Sequence, residues 1–110
     1  MTTIVNVRTD EFDVYIGRAV RRARDPRCRV ASCYANPYRI GRDRTRETAL
    51  VEYETLWRRR LAGTSRHLWL GRLRALRGKR LGCWCAPKPC HGDVLIKLLL
   101  EFANSQKEYA

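Results

Sequence analysis

The stretch LGCWCAPKPCHGD, from Leu81 to Asp93, limits what this chain can fold into more than any other. RLGCWC has the composition of a short strand, so its side chains alternate: Cys83 and Cys85 point to one face and Trp84 to the other. Pro87 and Pro89 lock φ and lack N–H donors, so APKP leaves the ladder as an extended turn. A helix is expected to follow, with Asp93 in its first turn as a capping carboxylate. A strand end and a helix start joined this tightly bring Cys83, Cys85, Cys90 and His91 into one short loop.

Three chemistries compete for that loop. Three thiolates and an imidazole are a standard structural zinc set, so Cys83, Cys85, Cys90 and His91 are the alternative metal ligands. The spacing is against it: C-x-C on a flat strand splays its sulfurs, and adjacent Cys and His ligands suit one ion poorly. No cofactor is therefore expected, with zinc as the alternative. The second reading uses the helix N-terminus, where free N–H groups and the helix dipole favour negative charge. There Cys90 is expected to have a lowered thiol pKa, assisted by His91 and Lys88, and to serve as a nucleophile with His91 and Asp93 beside it. The third reading treats the cysteines as small buried hydrophobes, which fits Cys83 best and leaves Cys85 open.

The chain has 110 residues, enough for one domain, 1–110, with a single modest core. Its formal charge is +12, nearly all of it arginine, whose planar fork matches phosphate and stacks on bases. A nucleotide or nucleic acid is the expected partner, with an acidic host protein as the alternative. No stretch reaches the length of a membrane span and the start does not resemble a secretory leader, so the expected location is cytoplasmic. In that compartment five cysteines read as thiols or ligands rather than a disulfide framework.

Elsewhere TIVNVR (3–8) and DVYIGR (13–18) read as strands. From 18 to 44 the chain is irregular and arginine-rich, including Arg18, Arg39 and Arg42, with a short helix expected over RAVRRARDP and a turn at Asn36-Pro37. A helix is expected to start near Thr45, bury Ala49, Leu50, Tyr53, Leu56, Trp57 and Leu61, and end with Gly63 as its C′ residue. A second, with Leu70, Leu73 and Leu76 inward, closes at Gly78, and the last runs over CHGDVLIKLLLEFANS. The order β-β-loop-α-α-β-α implies a small α/β domain, Rossmann-like, with about three strands and three helices. Whether the sheet is covered on one side or both stays open.

VYIGR, NPYRIG, TRE…YE and LRGKRLGCWCAPKPCHGDVL together resemble the small family catalogued as domain of unknown function 4326, common in bacteriophages and actinobacteria. The resemblance runs from about Ile4 to Leu100. It covers Tyr15, Gly17, Arg18, Asn36, Pro37, Arg39, Gly41, Cys83, Trp84, Cys85, Pro87, Cys90, His91, Gly92 and Asp93. It implies a phage-encoded protein working in the host cytoplasm, but no activity. The CH step is also similar to the Cys-His-Arg step of another uncharacterised Rossmann-like family, although glycine replaces that arginine here.

The expectation is one pocket at the C-terminal edge of the sheet, where α/β ligands bind. Tyr15, Gly17, Arg18, Asn36, Arg39 and Gly92 would bind a nucleotide or nucleic acid, and Cys90, His91 and Asp93 would supply any chemistry. The other class of function is a non-enzymatic effector, zinc-stabilised or metal-free, gripping nucleic acid or a host protein through its arginine face.

Overall fold

The computed structural model describes residues 1–41 and 43–103, so Arg42 and the end of the expected last helix lie outside the described residues. Three strands form a parallel sheet: β1 (Thr3–Asn6), β2 (Val14–Tyr15) and β3 (Arg80–Cys83). The order is β1-β3-β2, so the strand that arrives last in sequence fills the centre. Thr3 pairs with Arg80 and Asn6 with Cys83, while Val14 and Tyr15 pair with Leu81 and Gly82.

Alternation along these strands sorts the apolar residues onto two faces. Ile4, Val14, Ile16, Leu81 and Cys83 meet helices α1 (Arg46–Ala62), α2 (Arg66–Arg74) and α3 (His91–Ala103). Tyr53, Trp57, Leu73, Leu95 and Leu98 are fully buried in that layer. On the opposite face Val5, Val7, Tyr15 and Trp84 pack with Phe12, Ala23 and Cys28. The sheet is covered on both sides, with the helices on one side only. The link between β1 and β2 contains no helix, so the small α/β class holds but the two helical layers of a doubly wound fold do not form.

The expected helix over RAVRRARDP is absent. Asp25 instead accepts from the Arg27 N–H and starts a 3-10 turn, Pro26–Arg29, with proline at its first position. Local side-chain bonding to the backbone wins here over helix propensity. Thr45 does cap α1, its hydroxyl accepting from the Thr48 N–H. Gly63 ends that helix at φ −91° rather than in the left-handed region, whereas Gly78 adopts φ +73° at the turn into β3. Among the described residues no helix is long and apolar enough to cross a membrane.

Candidate functional site

The loop after β3 is held from the sheet edge. The Asn6 side-chain amide donates to the Ala86 carbonyl at 2.8 Å and the Trp84 carbonyl at 3.4 Å, and its Oδ1 accepts from the Arg8 N–H. The Ala86–Pro87 peptide is cis, and the Lys88 N–H closes the turn on the Cys85 carbonyl at 2.8 Å. The chain then enters α3 with a reciprocal cap. The Cys90 N–H donates to Asp93 Oδ2 at 2.9 Å, and the Gly92 N–H donates to Cys90 Sγ at 3.3 Å. Asp93 thus has the expected capping role and does not line the adjacent cleft.

That cleft encloses about 390 Å³ at the C-terminal edge of the sheet. Gly17 and Arg18 from the end of β2, Asn36 and Arg39 from the irregular segment, and Cys90 and His91 from α3 all line it. Trp84 and Cys85 contribute from the loop after β3 and Arg46 from the first turn of α1. Buried Asn36 organises one wall: its Oδ1 accepts from the Tyr38 N–H at 2.8 Å and its carbonyl accepts from Arg18 Nε at 2.8 Å. The Arg18 guanidinium is destabilised by burial and by neighbouring Arg39. Arg18, Arg39 and Arg46 line the cleft without a carboxylate among its described residues.

Three expected ligand-binding residues, Tyr15, Gly17 and Gly92, also have places in the frame. Tyr15 is buried on the opposite face; its hydroxyl accepts from Trp84 Nε1 at 2.8 Å and donates to the Arg18 carbonyl at 2.5 Å. A Cβ at Gly17 would lie 2.5 Å from that hydroxyl, so glycine there is required by Tyr15. A Cβ at Gly92 would meet Ile16 and Ile4 at 3.0 Å, so Gly92 lets α3 approach the sheet. Sequence patterns mark these glycines, but they do not reveal whether ligand or protein sits beside them.

The cysteine expectations change as well. Cys83 Sγ and Cys90 Sγ are 3.4 Å apart, both buried on the cleft floor. Cys90 is pushed up rather than down, by its contact with the Cys83 sulfur and by burial. Cys83 is shifted the other way: the Cys90 thiol and the Ala86 and Cys85 N–H groups lower it. His91 Nε2–H donates to the Ile16 carbonyl at 2.6 Å, and burial lowers its pKa. The neutral ring, edge-on to Tyr53 at 5.2 Å, keeps its basic lone pair on Nδ1. A Cys90 nucleophile activated by His91 is therefore not built. Nor is the zinc set: no group of three or more His, Cys, Asp or Glu among the described residues is placed to hold a metal.

Sequence reasoning missed Asn6, Arg46 and the second cleft, of about 740 Å³, lined by Arg8, Arg22, Arg24 and Trp84. Arg8 lies over the Trp84 ring at 5.1 Å. Trp84 and Val20 line both clefts. Arg46 carried a usable signal, since a basic residue in the first turn of a helix runs against the dipole.

A family profile described as Domain of unknown function (DUF4326) matches residues 3–101. The chain is also 33% identical over 97 residues to an uncharacterized 12.4 kDa protein in the nrdA-td intergenic region of Enterobacteria phage T4, covering 87% of this chain and 75% of the phage protein. No solved structure matches significantly.

Proposed function

The chain belongs to the DUF4326 family, and we propose that it binds a nucleotide, free or as a unit of nucleic acid, in the cleft between the ends of β2 and β3 and the start of α3. One observation carries the reading: Arg18, Arg39 and Arg46 line a concave site that holds no carboxylate among its described residues. Like charges brought together and bonded to carbonyls rather than to a carboxylate favour an external anion, and guanidinium forks suit phosphate. Tyr38 and Trp84 on the walls give a base aromatic surface to stack on. The second cleft, across Trp84, bears Arg8, Arg22 and Arg24 with one carboxylate, Asp25, that is paired to Arg27, and its three arginines suit the phosphates of a continuing strand. The reading is one of binding, with no reaction attached.

Tryptophan quenching by mononucleotides and by short single-stranded oligonucleotides tests it. Each phosphate contact of a charged donor is worth about 1.5–3 kcal/mol. Arg18→Ala with Arg39→Ala is therefore expected to weaken binding by about two to four orders of magnitude. The affinity of the native chain falls with added salt. Equal affinity of the native and doubly substituted chains, or binding indifferent to salt, removes the proposal. If oligonucleotides bind no tighter than mononucleotides, the second cleft drops out and the first remains.

A further inference from the structure

Five cysteines are free, and they occupy unlike places. Cys28 is buried beneath the irregular segment, Cys33 is exposed and Cys85 is half-buried on the cleft wall. Cys83 and Cys90 differ from all of these. Their sulfurs touch at 3.4 Å, they belong to a strand end and a helix start joined by a short loop, and both face the cleft floor. Each sulfur is also approached by main-chain N–H groups: Gly92 at Cys90, and Cys85 and Ala86 at Cys83. Packing alone does not require two thiols to meet this way.

We propose that Cys83 and Cys90 are a redox pair, oxidised by a small hydroperoxide to a disulfide across the base of the cleft and restored by a dithiol. The inference is independent of the nucleotide reading. Cys83 is the attacking sulfur, because two main-chain N–H groups, those of Cys85 and Ala86, face it, whereas one, that of Gly92, faces Cys90. Having lost its thiol proton to solvent, it forms a bond to a peroxide oxygen as the O–O bond breaks, and with hydrogen peroxide the leaving hydroxide takes up that proton and departs as water. The product is a sulfenic acid on Cys83. Cys90 then attacks that sulfur, the S–O bond breaks, and the Cys90 proton leaves with the oxygen as water. The two thiols lose two electrons and two hydrogens, and the peroxide becomes two waters. A hydroperoxide is the fitting oxidant because sulfurs this buried admit a reagent little larger than water.

The full chain, reduced, treated with equimolar hydrogen peroxide and then alkylated, is read by intact mass and peptide mapping. The expected product has lost two hydrogens, links the Cys83 and Cys90 peptides, and returns to the dithiol with dithiothreitol. In Cys90→Ser the reaction stops earlier, so a dimedone probe labels Cys83; in Cys83→Ser the same probe leaves Cys90 unlabelled. The idea is overturned if Cys83 and Cys90 of the native chain still alkylate fully while oxygen is added at Cys85 or Cys33. A linkage between any other pair overturns it equally. The native-chain result decides the matter even if a serine variant does not fold.

Discussion

The two faces of the sheet are covered by different means. On the helical face, Trp57 is fully buried, stacked on Tyr34 with ring centroids 6.2 Å apart and met edge-on by Trp69 at 5.3 Å. On the opposite face a small cluster around Phe12 is closed by arginine rather than by a helix. The Arg27 guanidinium lies 3.8 Å from the centre of the Phe12 ring and donates to the Phe12 carbonyl at 3.0 Å, while Asp25 holds its other edge at 2.7 Å. Arg29 in turn donates to the Ala23 carbonyl at 2.9 Å. The helical face gains stability from apolar area removed from water; the other gains less per residue but keeps guanidiniums at the surface. A cleft of arginines can form at the junction because one face alone supplies most of the core.

That division is easiest to break at Trp57. Truncating a fully buried tryptophan leaves a large cavity, and Trp57→Ala is expected to cost about 3–5 kcal/mol, read as a lower midpoint in urea unfolding followed by circular dichroism.

Alkali probes the same face more gently. Tyr34 is pushed up to about 12 by burial, its hydroxyl donating to the Arg72 carbonyl at 2.7 Å, and burial raises Tyr53 as well. An unfolded tyrosine loses its proton near pH 10, before the folded one does, so the unfolded state binds fewer protons above that point. Stability is therefore full below pH 10 and is lost as pH rises from 10 to 12, by about 1 kcal/mol per pH unit for Tyr34. Tyr34→Phe flattens that limb; an unchanged slope contradicts the assignment.

The arginine-closed face yields the smallest effect. Arg27→Ala removes the ring contact and a partly exposed ion pair, for a loss of about 1 kcal/mol in the same urea experiment. A loss as large as that of Trp57→Ala would mean that the two faces contribute alike.

Much of the local structure was legible beforehand, and so were the limits of that reading. The alternation that sends Cys83 toward the helices and Trp84 to the other face needs only the pleat. The caps at Thr45 and Asp93 need only a side-chain oxygen within three residues of a free N–H. The expected irregular segment, 18–44, proved to be two things. Its first part covers the sheet through Ala23 and Cys28, while Tyr34 enters the helical core and accepts from the Tyr53 hydroxyl through its carbonyl. Nothing in its composition distinguishes those parts, because what separates them is which distant surface each one meets. Tyr15 lies away from the cleft lining for the same reason. Its hydroxyl is occupied by Trp84, 69 positions away.

From the sequence alone came the three strands and three long helices, the side of each strand that faces inward, the capping of α3 and the convergence of a strand end on a helix start. These depend on interactions within a few residues, where backbone geometry leaves little choice. The tertiary structure decided the rest. Inserting β3 between β1 and β2 placed Asn6 over the loop, brought Arg18, Arg39 and Arg46 around one cleft, and turned His91 onto the Ile16 carbonyl. It also brought two sulfurs into contact, which moved the more acidic thiol from Cys90 to Cys83. A thiol's proton affinity depends on the donors and charges within a few ångströms of it, and those neighbours are chosen by the fold.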